Sequence, residues 1–173
     1  MKRIGMAAGA LVFLMGAAPQ DDFSRTVTAL RAGVRGEIRR NPEQTAKAAS
    51  SLSALGAHPW DGTADLAARW KEATQGAYRE RVLGPAYLHV MIEPGEHYAL
   101  EQSFLAGRRA RIAAFPTSPT RFQLLVNDGE RDHSCDVHRG TANCDWVPVF
   151  TGRVRVNLLN SGKRPAKFVI VMQ

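Results

Sequence analysis

Turn residues divide the second half of the chain at intervals of about 8–12 positions, and this spacing restricts what it can fold into. Pro94-Gly95, Ala106-Gly107, Asp128-Gly129 and Ser161-Gly162 separate short runs in which apolar residues recur with a period of two. This pattern is typical of an antiparallel β-sandwich. The predicted strands are residues 86–92, 97–105, 108–115, 121–127, 153–160 and 166–172, with a further hairpin around the two cysteines.

Two of the turns also predict which strands pair. Asp128-Gly129 is a strong hairpin signal. The turn at Glu93–Glu96 is expected to return strand 86–92 directly into strand 97–105, so that these two strands pair with each other. On this interpretation His89 and His97 lie on neighbouring strands.

The first half of the chain has a helical period instead. Five apolar residues at spacings of three or four share one face of a predicted helix over residues 21–40: Phe23, Val27, Leu30, Val34 and Ile38. Asn41-Pro42 ends this helix and starts a second over residues 43–55, because proline is tolerated in the first helical turn. A third short helix is predicted over residues 63–74.

Three short helices make a poor core by themselves, so other apolar surface must cover the stripe on the first helix. The cover is either the sandwich of the same chain or a partner protein. A membrane surface fits less well, because Asp21, Asp22 and Glu37 dilute the basic charge that anionic lipids attract. The sequence thus predicts an α+β protein with a helical region at 21–75 and a β-sandwich domain at 78–173.

The N-terminus has the layout of a secretory signal peptide. Lys2 and Arg3 precede an uncharged apolar run at residues 6–18 that ends in small residues. The run is shorter than the roughly 20 residues of a membrane-spanning helix, and no later stretch is long and apolar enough to cross a membrane. A buried N-terminal helix is the alternative. We expect removal of residues 1–18, export to the periplasm or the medium, and no transmembrane segment in the mature chain.

Cys135 and Cys144 are the only two cysteines in the sequence. Two cysteines normally pair in an oxidising compartment, and Gly140 between them would let the chain turn back. Zinc would need four ligands, and the spacing of His133 and His138 around the cysteines matches no common zinc site. The pattern predicts a disulfide, with metal binding and redox chemistry as the alternatives.

The order of the strand segments also matches a known family. Its most specific passage runs from Trp146-Val147-Pro148 to Thr151-Gly152 and continues through Val154, Val156 and Asn160. With GPAYLHVMIEPGEHYALEQSFLAGRRARIAAF and RFQLLVNDGE before it, this passage resembles the bacterial pre-peptidase C-terminal domain family over about residues 84–173. The resemblance implies a jelly-roll-like β-sandwich of the kind found on secreted proteases and in small exported proteins.

The same family often carries an acidic phrase linked to calcium, and this chain departs from it. Residues 120–124 are TRFQL and contain no aspartate. A weaker group of oxygen-bearing side chains follows, at Asn127, Asp128, Glu130 and Asp132. Because calcium requires several carboxylate oxygens, we predict a plain turn here and no metal.

The motifs of the common enzyme classes are absent from the sequence. There is no G-x-S-x-G, no H-E-x-x-H and no phosphate-binding glycine loop. Glu93 and Glu96 share one turn, whereas acid–base catalysis by two carboxylates places them across a cleft. His89 and His97 are too few for a metal site without further ligands. The sequence predicts no enzyme and no cofactor.

The basic residues are the remaining candidates for function, in a chain with a formal net charge of +7. Three lie four residues apart on the helix face opposite the apolar stripe, and three begin the predicted strand 108–115. These residues are Arg31, Arg35, Arg39, Arg108, Arg109 and Arg111. They predict contact with an anionic surface, and the alternative is a solvated polar face. Aromatic residues do not alternate with them, which argues against nucleic acid as the partner.

These features predict an exported, non-catalytic β-sandwich protein that serves as a binding or envelope-interaction module. Its partner would be a protein of unknown identity or an anionic envelope component. A carbohydrate-binding module using Trp60 or Trp146 is one alternative, although these tryptophans are widely separated. A hydrolase with an unrecognised site is the other.

Overall fold

The computed structural model describes residues 21–72, 84–133 and 135–173. The predicted signal peptide, the end of the third predicted helix and the predicted boundary at 75–78 lie outside these ranges. The elements are α1 Asp22–Ile38, α2 Pro42–Ala54, β1 His58–Pro59, α3 Leu66–Glu72, β2 Ala86–Ile92, β3 His97–Phe104, β4 Ala110–Pro116, β5 Phe122–Asn127, β6 Asp132–His133, β7 Asp136–His138, β8 Thr141–Trp146, β9 Gly152–Asn160 and β10 Ala166–Met172. No helix in the described part of the chain is long and apolar enough to cross a membrane.

The strands form two stacked sheets, and with the helices they give the predicted α+β class. Sheet A has the order β1-β2-β10-β4-β8-β7, and sheet B has the order β3-β9-β5-β6. β1 is parallel to β2, whereas the remaining pairs of both sheets are antiparallel. β1 has only two residues and was not predicted from the sequence.

The chain changes sheet at most of its turns, and this overturns one predicted pairing. β2 pairs with β10 and β3 pairs with β9, so the turn after Ile92 links two sheets instead of closing a hairpin. Turn residues show where a chain reverses, but not into which layer the next strand goes. The predicted hairpin at Asp128-Gly129 is confirmed, because β5 pairs with β6 with Val126 opposite His133.

The first part of the core lies between the two sheets. Leu88, Ile112, Phe168 and Ile170 of sheet A pack towards sheet B, which contributes Val126, Leu124, Val154, Val156 and Leu158. Burial alternates with exposure along β3, β5 and β9. Sheet B therefore faces the core on one side and solvent on the other, as the period-two pattern predicts.

The second part of the core lies between the three helices and the outer face of sheet A. Leu30, Leu52 and Trp70 of the helices form one cluster with Tyr87, Phe115, Val169 and Val171 of the sheet. The apolar stripe of α1 is thus covered by the sandwich of its own chain. Ile38 is the exception, since it ends the helix and remains 62% exposed.

Local contacts fix the helices on the sheet. A Cβ atom at Gly33 would overlap the Trp70 ring, so this glycine lets α3 approach α1 closely. The Tyr87 hydroxyl donates a hydrogen bond to Asp65 Oδ1 at 2.7 Å and accepts one from the Ala67 N–H at 3.2 Å. These bonds hold the start of α3 against β2.

The cysteine hairpin lies beside α1. Cys135 and Cys144 form the predicted disulfide, and β7 pairs with β8 across a turn at Arg139 and Gly140, both with positive φ. A disulfide closing a loop of this length contributes about 2–3 kcal/mol to the free energy of unfolding.

Arg31 joins the helical layer to this hairpin. Its guanidinium donates to Thr141 Oγ1 at 2.5 Å and to the Arg139 carbonyl at 3.0 Å. The group also lies 5.7 Å from the centre of the Phe115 ring. Since Thr141 is buried, we expect Arg31 to stabilise the fold.

Replacing Arg31 with methionine keeps most of the side-chain stem and removes the guanidinium. We expect Arg31→Met to lower the free energy of unfolding by about 1.5–3 kcal/mol, the usual contribution of hydrogen bonds to a charged group. Urea denaturation followed by circular dichroism measures this change.

The same substitution at the exposed Arg35, one turn further along α1, is the matched control. Arg35→Met should change the free energy of unfolding by less than about 0.5 kcal/mol, as at other exposed positions. Equal effects of the two substitutions would show that the contacts of Arg31 with the hairpin do not stabilise the protein.

Candidate binding surface

The six arginines singled out from the sequence do not form one surface. Arg31 uses its guanidinium inside the protein, as described above. Arg111 does the same, because its side chain is only 13% exposed and pairs with Asp21 at 2.7 Å. Its guanidinium also lies 4.7 Å from the centre of the Phe23 ring. Arg31 and Arg111 are therefore engaged within the protein, and contact of the exposed arginines with an anionic surface stays a prediction.

The sequence could not show the partners of these two arginines, because those partners lie on other elements. Asp21 caps this helix by accepting a hydrogen bond from the Ser24 N–H at 2.9 Å. That bond, followed by the charge of Arg111, lowers the pKa of Asp21, although partial burial opposes the shift. The Arg111 contacts thus secure the helix start on β4. The other four arginines are exposed. Arg35 and Arg39 lie at the C-terminal end of α1, and Arg108 and Arg109 lie in the β3–β4 turn.

Arg108 and Arg109 belong to an exposed, largely apolar surface that was not predicted from the sequence. We call it the loop end, and it consists of residues 105–109 between β3 and β4 and residues 147–151 between β8 and β9. Four large apolar side chains are exposed there, Leu105, Val147, Val149 and Phe150, and Phe150 reaches 68% exposure. The loops are neighbours because β3 pairs with β9 and β4 pairs with β8.

Hydrogen bonds hold the two loops of the loop end together. The Gly107 N–H donates to the Pro148 carbonyl at 2.9 Å, and the Ala106 N–H donates to Thr151 Oγ1 at 3.0 Å. Because hydrogen bonds join the two loops, their apolar side chains would lose less conformational freedom on binding a partner.

Charged residues lie on the strands that lead into and out of the loop end. Arg109 forms a bidentate pair with Asp145, with donor–acceptor distances of 2.8 and 2.5 Å. Arg153 and Arg155 both approach Glu101, at 3.8 and 3.1 Å. With the exposed Arg108, four arginines accompany two carboxylates, which leaves the rim of the loop end positive.

A compact cluster of polar and aromatic side chains packs beside the strand ends from which the loop end extends. Trp146, the residue before the second loop, makes an edge contact with Phe104 at 5.3 Å between ring centres. It also stacks on the His133 ring at 4.7 Å. His133 Nε2 in turn lies 2.7 Å from Asp128 Oδ2. We call Asp128, His133 and Trp146 the support cluster.

Asp128 is the charged member of the support cluster. Partial burial raises its pKa, but hydrogen bonds from the Arg131 N–H, the His133 ring and the Glu130 N–H outweigh this effect and lower the pKa to about 2. Its side chain and that of Asn127 are engaged within the turn, because Asn127 accepts from the Gly129 N–H and donates to Asp132. The turn is thus closed by internal hydrogen bonds.

The other candidates from the sequence are dispersed. His89 lies in sheet A and His97 in sheet B, so the two histidines do not lie on paired strands. Within the described ranges no group of three or more histidine, cysteine or acidic side chains is placed to hold a metal. Trp60 and Trp146 are partly buried against the core between the sheets, and Trp70 is buried under the helices.

A pH-dependent stability follows from Asp128. Because folding lowers its pKa, its charged form stabilises the protein above the unfolded pKa of roughly 4, and this contribution disappears as the pH falls towards 2. Asp128→Asn should lower the melting temperature at neutral pH, and the difference from the parent protein should close on acidification through this window. Thermal unfolding across that pH range measures the difference.

Asp132→Asn is the control, since among the described residues the Asp132 carboxylate accepts a side-chain hydrogen bond only from Asn127 in the same turn. Its effect on the melting temperature should be smaller than that of Asp128→Asn at neutral pH. A melting temperature of Asp128→Asn that stays below the parent by a constant amount down to pH 2 would contradict the assignment.

Comparison with known proteins adds structural neighbours but no family. No protein-family model and no curated protein match the sequence. Among solved structures, the pre-peptidase C-terminal domain of a Bacillus anthracis collagenase is similar over 50% of this chain and 87% of its own, with 3% identity and a TM-score of 0.46. A de novo designed double-stranded β-helix matches over 50% of this chain and 97% of its own, with 20% identity and a TM-score of 0.33. These scores are too low to carry an argument, so the strand pairings alone define the fold.

Proposed function

We propose that this protein is an exported, non-catalytic binding module that attaches to an anionic component of the cell envelope through its loop end. The observation that carries the proposal is the exposure of Leu105, Val147, Val149 and Phe150 on two cross-linked loops with a positive rim. Large apolar side chains that gather on one surface mark interaction sites more often than scattered ones do.

The composition of the loop end favours a lipid surface as the anionic component. Transfer of an exposed valine, leucine or phenylalanine side chain out of water contributes about 1.5–3 kcal/mol when burial is complete. Each arginine near an anionic membrane surface adds about 1 kcal/mol. Arg108 is exposed in the same loop as Leu105. The apolar side chains and the arginine can therefore contact a lipid surface at the same time.

The remaining parts of the proposal rest on the sequence. The basic start and apolar run of residues 1–18 support export, and a disulfide between Cys135 and Cys144 suits an oxidising compartment. The lack of a recognised catalytic motif supports a binding role. The repeated change of sheet from β2 to β5 and from β8 to β10 supports a jelly-roll-like arrangement of the sandwich.

Vesicle binding by the processed chain tests this function. We expect sedimentation with phosphatidylcholine vesicles that contain phosphatidylglycerol, weaker binding to phosphatidylcholine alone, and weaker binding at high salt because the arginine contribution is screened. Phe150→Ser combined with Val149→Ser should weaken binding at least about tenfold, since each tenfold step corresponds to about 1.4 kcal/mol. Arg108→Glu should remove most of the preference for the anionic lipid.

Leu125→Ser is the matched control. Leu125 is 55% exposed on the solvent face of sheet B, away from the loop end, so this change removes similar exposed apolar area without altering the proposed contact. If Leu125→Ser weakened vesicle binding as much as the double substitution of Val149 and Phe150, the role of the loop end would be contradicted. Binding to neither type of vesicle would contradict the choice of a lipid surface.

A further inference from the structure

A cleft opens beside the helical layer, on the part of the outer face of sheet A that the helices leave uncovered. Its volume is about 210 Å³, below the roughly 300–1,000 Å³ of pockets for drug-sized ligands. It lies near the C-terminal end of α1 and the turn after β4. The loop end instead comprises the loop from β3 to β4 and the loop from β8 to β9. The two surfaces are therefore separate.

The floor of the cleft is apolar. Val34 of α1, Leu66 of α3 and Val169 of β10 line it, and all three are otherwise buried in the core under the helices. Ile38 lines the cleft as well and is 62% exposed. This is the residue of the α1 stripe that the sandwich does not cover. A ligand with an apolar portion would remove mainly Ile38 from water, because the three floor residues are already almost fully buried.

Glu37 and Arg69, which both line the cleft, already form an ion pair with each other. Arg69 donates to both carboxylate oxygens of Glu37, at 2.7 and 2.8 Å, and the Trp70 indole N–H approaches the same carboxylate at 3.3 Å. Glu37 is thus poorly placed to bind a cation, and Arg69 is poorly placed to bind a second anion.

Lys167 is the other positively charged residue that lines the cleft. It lies on β10 and faces the helices with Val169, and its ammonium group forms no ion pair with any residue of the described ranges. The Thr117 N–H donates to the Lys167 carbonyl at 2.8 Å, so the Thr117 hydroxyl is held beside the lysine on the same wall. Together they supply a positive charge and a hydroxyl donor.

His89 completes the wall next to Lys167, and its surroundings disfavour the charged form of its ring. Burial, followed by the charges of Lys167 and Arg69, lowers the pKa of this histidine. Its Nδ1 is buried without a hydrogen-bond partner among the described residues. The lining therefore presents one uncompensated positive charge, a neutral ring and an apolar floor.

We propose that this cleft binds a small monocarboxylate with a short, unbranched apolar chain. The carboxylate would lie at the Lys167 ammonium and the Thr117 hydroxyl, and the chain would lie over Val34, Leu66 and Val169. A dianion such as a phosphate monoester fits less well, because Arg69 is already engaged by Glu37. A fully polar anion would leave the exposed Ile38 side chain in contact with water.

Titration of the processed chain with sodium hexanoate, followed by NMR, tests the proposal. We expect chemical-shift changes at the His89 ring and at the methyl groups of Val34 and Val169. Butyrate should bind about fifteenfold more weakly, which is the contribution of two methylenes at ~0.8 kcal/mol each. Hexylammonium, with the same chain and the opposite charge, should not bind at the cleft.

Lys167→Met removes the ammonium group and keeps much of the side-chain stem. It should weaken hexanoate binding at least about tenfold, a loss of about 1.4 kcal/mol, while an unchanged spectrum elsewhere shows that the fold is retained. Lys47→Met, on the exposed face of α2, is the matched control and should leave the affinity as it was.

The proposal would be overturned by the absence of shifts at the cleft with millimolar hexanoate, by equal binding of hexylammonium, or by full affinity in the Lys167 variant. Shift changes confined to Leu105 and Phe150 would also overturn it, since hexanoate would then bind at the loop end. Because the cleft and the loop end are separate, vesicle binding by the Lys167 variant should equal that of the parent.

Discussion

The rest of the structure depends on the burial of sheet A on both of its faces. Along β10, Phe168 and Ile170 pack towards sheet B, while Val169 and Val171 pack under the helices. Helices of this length are marginal in water without tertiary contacts, so α1 to α3 depend on this outer face for their stability. Without the helices, in turn, Val169 and Val171 would be exposed to water.

Much of this architecture could be predicted from local sequence. The apolar spacing of α1, the Asn41-Pro42 boundary and the turns locate the helices and long strands to within a few residues, because these signals act over short distances. Pairing beyond the local hairpins could not be predicted, since the turn after Ile92 looks the same whether the next strand stays in the sheet or leaves it. One available signal was missed. AKFVIVM in β10 is apolar almost throughout, whereas HYALEQSF in β3 alternates, and a continuous run indicates a strand covered on both faces.

The candidate surfaces were predictable only in part, for the same reason. Arg108 and Arg109 were singled out by their charge, and they do lie at the edge of the loop end. Arg31 and Arg111 had the same local appearance, but their partners Thr141 and Asp21 lie far away in sequence or on another element. The apolar side chains of 147–150 lie between strand ends, and their exposure follows from pairings that the sequence did not reveal. With the sandwich as scaffold, the loop end and the cleft occupy separate positions.

Native-state hydrogen exchange tests most directly whether the helices and the sandwich share one core. Because α1 and β10 bury each other's apolar side chains, the most protected amides of both elements should exchange with the same free energy, equal to that of global unfolding. Amides of Leu30 and Val34 in α1 can be compared with those of Val169 and Ile170 in β10. If the α1 amides exchanged through an opening several kcal/mol below that of β10, the helical layer would unfold separately, and a single shared core would be contradicted.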